Sequence, residues 1–315
     1  MKHAYVLATL AALNALPAAI AWGVSGHHAV GLVAEQFLSK NAQAFVSDIL
    51  GESYHSSLAL ASTWADSVRD QPEYKWSAEL HYMNTKDSPR TNSCTVELER
   101  DCPGGRCIVA AMGNYTWHLL QAAQPRAQAE EALKFLIHFL GDVGQPLHTE
   151  ALALGGYQLP VICEGQVTNL HWVWDEAILD SRIVRQFHGS VRHFASWLVR
   201  DMKHGAMSRT VASWYKTPWS LQSYKEQIIS DSEAQAPFYN AVYDEDTYLE
   251  WTREANAHAC TTVFDYRMRE ELCEGRYANM AFQVIIGQIA KQGYRLAQTL
   301  NDIVDAVEPE LRPRF

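Results

Sequence analysis

The sequence predicts an all-α fold: one mostly helical domain with disulfide-stapled loops and at most a short hairpin. Three observations predict it. Apolar residues recur at helical spacing in several segments, strand-like residues are confined to one stretch, and no linker or internal repeat divides the chain. With 315 residues, 48% hydrophobic and 20% charged, the chain can bury a full core in one large domain or at most two.

The elements follow in order. Lys2 gives a positive start, residues 4–20 run apolar (AYVLATLAALNALPAAI), and Ala19 and Ala21 form a small-x-small site, so 1–21 reads as a signal peptide cleaved after Ala21. The short run and Pro17 argue against an anchor, and no later stretch is long and apolar enough to span a bilayer. Val30, Val33, Ala34, Phe37 and Leu38 mark a first helix, and Ala129, Leu133, Leu136, Ile137 and Leu140 another. Segments 170–204 and 278–306 repeat the period. Segment 84–107, with Pro89, Pro103, two glycines and three cysteines, reads as a stapled loop. Tyr157 to Val167 is β-prone but contains Pro160, and reads as a hairpin or extended loop. Residues 306–315, with two prolines and mixed charge, read as a flexible tail, which leaves 22–305 as the domain.

Export implies an oxidising compartment, so the six cysteines suggest three disulfides. Cys102 and Cys107 are close enough to close a small loop; spacing leaves the others open. Asn114-Tyr115-Thr116 is a glycosylation sequon, with Asn114 as acceptor, and suits a secreted glycoprotein. Lys2 is the only charged residue before Trp22, so removing the leader takes the formal net charge from −10 to −11. That argues against tight electrostatic binding to a nucleic-acid backbone. It allows brief contact with a phosphate, because bound cations invert the local field.

Thirteen histidines are many for this length, and several stand near carboxylates. In FLIHFLGDVGQPLH, His138 and Asp142 are four apart and share one helix face, while Gly144 and Pro146 end the helix and can turn His148 back. In NLHWVWD, His171 and Asp175 repeat the spacing. One such pair is usually a surface ion pair or a capped helix. Two pairs plus His148, flanked by apolar residues, put polar groups in the interior, where they need partners. Imidazole with carboxylate is the donor set a borderline-soft ion such as Zn²⁺ prefers. After cleavage the chain begins WGVSGH, and a free α-amine, with a pKa of about 7.7 to 8.0, can lose its proton and chelate with its own carbonyl. His27 lies five residues on; Asp66 in STWADSVR and His81 in ELHYMN complete the candidates.

With these motifs in place, the chain resembles the three-zinc, single-strand-specific nucleases of fungi and plants, the S-one/P-one family (class I nucleases). The matching stretches are WGVSGHHAV, ASTWADSVR, KWSAELHYMN, ERDC, GNYT, FLIHFLGDVGQPLH, NLHWVWD and IAKQGYRLA, in the family's order over roughly 22–305. The resemblance implies a helical fold shared with zinc phospholipases C and a cofactor of three Zn²⁺. Asp66, His81 and His138 would hold one ion; the Trp22 amine and carbonyl with His27 a second, Asp142 bridging the two; and His148, His171 and Asp175 the third. It implies Cys94–Cys260 and Cys102–Cys107, which leaves Cys163 and Cys273. Asp66 and Arg69 would be catalytic, orienting the water and gripping phosphate. Products would carry 5′-phosphates, and a terminal 3′-phosphate would also be removed.

Tyr82 and Leu154 keep the aromatic and apolar types between which the family stacks a base. The carboxylate that reads a base edge is here Asn84, an amide with both donor and acceptor. The usual G-G-N reads Gly155-Gly156-Tyr157. The expected substrates are therefore single-stranded RNA, DNA and 3′-nucleotides, with a phospholipid headgroup as the alternative on the same scaffold. A non-enzymatic zinc-stabilised binding protein is a further rival, disfavoured because structural zinc sites are closed. Nothing in the sequence implies a stable protein partner, and a monomer is expected.

Overall fold

The computed structural model describes residues 22–121, 124–217 and 245–307. The expected leader and the tail beyond Val307 lie outside the described residues. The expected tail begins at Ala306, which is the last residue of a helix and is buried, as is Val307.

The helices are α1 (Val24–Ala34), α2 (Lys40–Leu50), α3 (Leu58–Ala61), α4 (Trp64–Val68), α5 (Leu98–Asp101), α6 (Ile108–Leu120), α7 (Arg126–Asp142), α8 (Leu170–Trp172), α9 (Ile178–Phe187), α10 (Val191–His204), α11 (Glu245–His258) and α12 (Gly275–Ala306). The two strands, β1 (Pro160–Cys163) and β2 (Gln166–Asn169), pair antiparallel with Pro160 opposite Asn169 and Cys163 opposite Gln166. The β-prone stretch thus forms a hairpin that starts and ends later than its sequence suggested. Among the described residues it is the only sheet.

Burial explains the arrangement. From Ala132 to Asp142 every residue of α7 is buried, so this helix runs through the centre of the core. Helix α1 is buried on nearly all sides and packs on α3, α7, α10 and α12. Along α12 the buried positions Ala281, Ile285, Ile289, Leu296, Leu300 and Ile303 keep helical spacing over its whole length, as amphipathic packing requires. The periodic segment 170–204 is two main helices, because His188 takes a left-handed conformation that ends α9, and the Ser190 hydroxyl then caps α10.

The stapled loop 84–107 contains α5 and short helical turns at Pro89–Thr91 and Pro103–Gly105. The disulfides are Cys94–Cys260, Cys102–Cys107 and Cys163–Cys273. Only Cys102–Cys107 closes the loop on itself. The other two carry segments 94 and 163 to the region between α11 and α12.

Candidate metal centre and pocket

Several elements deliver ligating side chains to one place. Helix α1 brings His27, α4 brings Asp66 and, one turn on, Arg69. The 3₁₀ segment Lys75–His81 ends in His81, and the last turns of α7 carry His138 and Asp142. A 3₁₀ turn, Pro146–Thr149, follows and carries His148. Asn169 caps α8 through its side chain, and His171 and Asp175 lie across α8 and the π-helical turn Val173–Ala177. Trp22 is fully buried; its indole donates to the Gly141 carbonyl (3.0 Å), and the Gly23 amide donates to that of Asp175 (2.9 Å). Gly141 makes room for this packing, since a Cβ there would lie 2.8 Å from His27 Nδ1.

The groups converge closely. Asp142 Oδ1 lies 3.1 Å from His27 Nε2, and Oδ2 lies 3.1 Å from both His81 Nδ1 and His138 Nε2. Asp66 Oδ1 lies 3.5 Å from His138 Nε2 and 3.6 Å from His81 Nδ1. His27 and His138 stack, with centroids 4.0 Å apart. Separately, His171 Nε2 lies 2.9 Å from Asp175 Oδ2, and the His148 ring is 5.2 Å from that of His171.

The protein fixes these rings from behind. His138, His148 and His171 each bond through Nδ1 to a main-chain carbonyl: Ser62 at 2.6 Å, His81 at 2.9 Å and Gly155 at 2.6 Å respectively. Nε2 therefore faces inward, as outer hydrogen bonds to ligating histidines arrange. Gln145 does the same for Asp175, donating to Oδ1 at 2.5 Å.

Electrostatics set the protonation states. Burial lowers the pKa of His27 and His148, and takes His81 down to about 4. Burial would lower His138 too, but Asp142 and Asp66 outweigh it and raise His138 to about 10. Burial would raise Asp66, yet His138 and His81 hold it at about 2; the same histidines, with His27, keep Asp142 far below the carboxylate range against its burial. Near neutral pH, then, both carboxylates are ionised and His27, His81 and His148 are neutral, which are the ligating forms, whereas His138 carries a proton that a bound cation would displace.

The donor set fits metal ions. Three groups each present ligand atoms within 4.8 Å of one another: His27, His138 and Asp142; Asp66, His81 and His138; and His148, His171 and Asp175. Nε2 of His148 and His171 and Oδ1 of Asp66 and Asp142 are buried yet make no hydrogen bond inside the protein. Buried polar atoms need partners, and divalent ions satisfy all of these together. A fourth cluster, Cys163, Glu271 and Cys273, is a disulfide beside a carboxylate and offers no thiolate.

Beside these groups lies a cavity of about 210 Å³ lined by Tyr82, Asn84, Leu154, Gly155 and Tyr157 together with His81, His148 and His171. All five expected pocket residues thus share one cavity with three candidate ligands. Tyr82 is half-buried, Asn84 and Leu154 are exposed at its mouth, and Gly155 turns with φ +58° where a Cβ would strike the Leu147 carbonyl at 2.7 Å. Tyr157 stacks on His171, with centroids 3.8 Å apart, so its ring covers one face of a candidate ligand. Arg69 is buried, not a surface charge, with Nη1 3.4 Å from Asp66 Oδ1.

One wall residue escaped the sequence reading. Glu150 is buried, and burial together with the neighbouring Asp87 carboxylate pushes its pKa up to about 7. Its place two residues after His148 was the available signal. Asn114 lies half-buried in α6, and the Thr116 hydroxyl of the sequon is fully buried 2.9 Å from the Tyr248 hydroxyl.

Fold and site together define a helical protein whose buried His and Asp clusters suit divalent ions beside an open pocket. A family profile described as S1/P1 Nuclease matches residues 22–305, and the chain belongs to that family. It is 34% identical to Nuclease P1 of Penicillium citrinum over 90% of this chain and 97% of that protein. It is 32% identical to Nuclease S1 of Aspergillus oryzae over 89% and 91%, and 30% identical to Endonuclease 3 of Arabidopsis thaliana over 96% and 95%.

Proposed function

We propose that the protein is a secreted zinc-dependent endonuclease. It would cleave single-stranded RNA and DNA to 5′-phosphorylated products and remove terminal 3′-phosphates. The observation that carries this reading is the convergence of His27, His81 and His138 on the shared Asp142 carboxylate, with Asp66 beside His81 and His138, and with His148, His171 and Asp175 alongside. Asp66, His81 and His138 would hold one of three Zn²⁺, the Trp22 amine and carbonyl with His27 a second, Asp142 bridging them, and His148, His171 and Asp175 the third. The buried Trp22 beside Gly141 supports the terminal amine as a ligand.

When bound, the ions lower the pKa of water and offset charge on the phosphoryl group. Asp66 accepts a hydrogen bond from the attacking water and fixes its direction toward phosphorus. Arg69, held by Asp66, presents its guanidinium to a phosphate oxygen. Tyr82 and Leu154 hold the base, and Asn84 meets its edge. Tyr157 keeps His171 oriented by stacking.

The leader and three disulfides support export. Residues 22–305 would act as one catalytic domain, as a monomer glycosylated at Asn114. The changes at Asn84 and Tyr157 favour, as second reading, a phosphodiesterase of the same fold acting on phospholipid headgroups. Purified protein is tested on single-stranded RNA, a 3′-mononucleotide and phosphatidylcholine, with and without chelator. Chelator-sensitive release from the first two is expected. Release from lipid alone overturns the nuclease, and no chelator-sensitive release from any substrate overturns the enzyme.

A further inference from the structure

A second, wider depression of about 830 Å³ lies apart from the metal groups, between the β1–β2 hairpin, the turn at Pro89–Thr91 and the segment 259–270. We propose that it binds a stretch of single-stranded nucleic acid outside the catalytic pocket, with phosphates on Arg90, Arg267 and Arg269 and bases against Tyr266 and Met268. The proposal rests on the nuclease reading above and names where the rest of the strand lies.

Charge is the first support. The chain is acidic, with formal net charge −10, yet three exposed arginines rim this depression. Among the described residues none of the three has a carboxylate within ion-pair distance; Arg276 pairs with the rim acids Asp265 and Glu270 at 2.9 and 3.0 Å, and Glu270 also faces Arg267, so with Arg276 four arginines stand against two acids. The local field is therefore positive, which is the complement of a phosphate backbone.

The apolar surface is the second. Met268 is 91% exposed and Val167 76%, and Tyr266 lies half-buried between them and the core. Cationic side chains beside exposed aromatic and apolar surface are the combination that sequence-tolerant single-strand binding uses.

Rigidity is the third. Cys94–Cys260 ties the turn side to the segment at 260, and Cys163–Cys273 ties the hairpin to its far end. The Glu271 carboxylate accepts the amides of Glu164 and Gly165 at 2.9 and 3.0 Å, and the Leu272 amide bonds the Ile162 carbonyl at 2.9 Å. The walls are thus set before any ligand arrives, so little ordering is left to oppose binding.

Two chain segments link the depression to the pocket. Residues 82–92 run from Tyr82 and Asn84 in the pocket to Arg90, and the hairpin hangs between Tyr157 and His171.

The test compares the holoenzyme with the triple charge reversal R90E/R267E/R269E on a 3′-mononucleotide, a dinucleotide and a single strand of about 20 nucleotides. For the unaltered enzyme, kcat/KM rises with length. In the variant, KM for the long strand rises about tenfold or more, the log-log salt dependence of kcat/KM becomes shallower by about 2, at about 0.7 per lost phosphate contact, and mononucleotide hydrolysis is unchanged. Hydrolysis of all three substrates with no gain from length overturns the strand site and leaves the nuclease reading standing. Equal losses on mononucleotide and strand also overturn it, since the arginines would then act on the pocket or the fold. Absence of hydrolysis of any nucleotide substrate overturns the nuclease reading and this site with it. Inhibition by polyglutamate below the KM of the strand, charge for charge, assigns the groove to an acidic polypeptide and overturns the proposal.

Discussion

Asp142 is the most informative single perturbation. Its carboxylate is fully buried and lies 3.1 Å from nitrogens of three imidazoles. At an effective dielectric of about 20, a unit charge at that distance attracts a cation by about 5 kcal/mol. His138 gives a second measure. Burial lowers its pKa, yet Asp142 and Asp66 together carry it from 6.5 to about 10, which corresponds to roughly 5 kcal/mol. Whether the cation is a proton or a metal, Asp142→Asn keeps the shape and removes that attraction. Metal affinity at the two groups that meet at Asp142 and His138 then falls by about three to four powers of ten. The group at His148, His171 and Asp175 keeps its ion. Metal content after dialysis against a weak chelator, with kcat/KM on single-stranded RNA, reads both effects, and circular dichroism checks the fold. A variant with its full metal complement and activity within about tenfold of the parent would refute the shared-carboxylate argument.

Four further outcomes are expected. Retaining Ala21 before Trp22 turns the terminal amine into an amide, so activity and one equivalent of metal are lost while the fold survives; undiminished activity excludes the amine as ligand. Arg69→Lys keeps charge but loses the planar fork, so kcat/KM drops by about 10²-fold with metal content unchanged. Asn84→Asp replaces a donor and acceptor with acceptors alone, and shifts the ratio of rates on homopolymers of different base by about tenfold; an unchanged ratio removes Asn84 from base reading. Glu254→Gln tests stability against acid. Burial raises the Glu254 pKa, but Arg295 and Lys291 lower it further, so its contribution is present above the ordinary value of 4.5 and is lost as pH falls through the depressed one. The side chain is a third exposed, which limits the effect to the order of 2 kcal/mol, and thermal melts of the variant should show a weaker dependence on pH in acid.

Local features carried much of the site in the sequence. His138 with Asp142, and His171 with Asp175, were legible because four residues make about one helical turn whatever surrounds them. The turn that brings His148 back was legible in Gly144 and Pro146. The ligand sets themselves, and the pairing of Cys94 with Cys260, came from the resemblance, since no spacing relates residues so far apart. Neither source revealed that Tyr157 packs on His171, that Arg69 is buried or that Glu150 neighbours the Asp87 carboxylate. Each of those depends on loops whose paths are fixed by packing and disulfides.

By itself, then, the sequence determined the helical class, the donor types and the two four-residue pairs, because these follow from periodicity, composition and side-chain chemistry within one or two turns. Only the tertiary structure decided which imidazoles meet at Asp142, which ring nitrogen each points inward, and where exposed arginines gather away from the pocket. The physical reason is that ligand convergence and local field depend on distances between segments, set by how α1, α4, α7 and the cross-linked loops pack around one core.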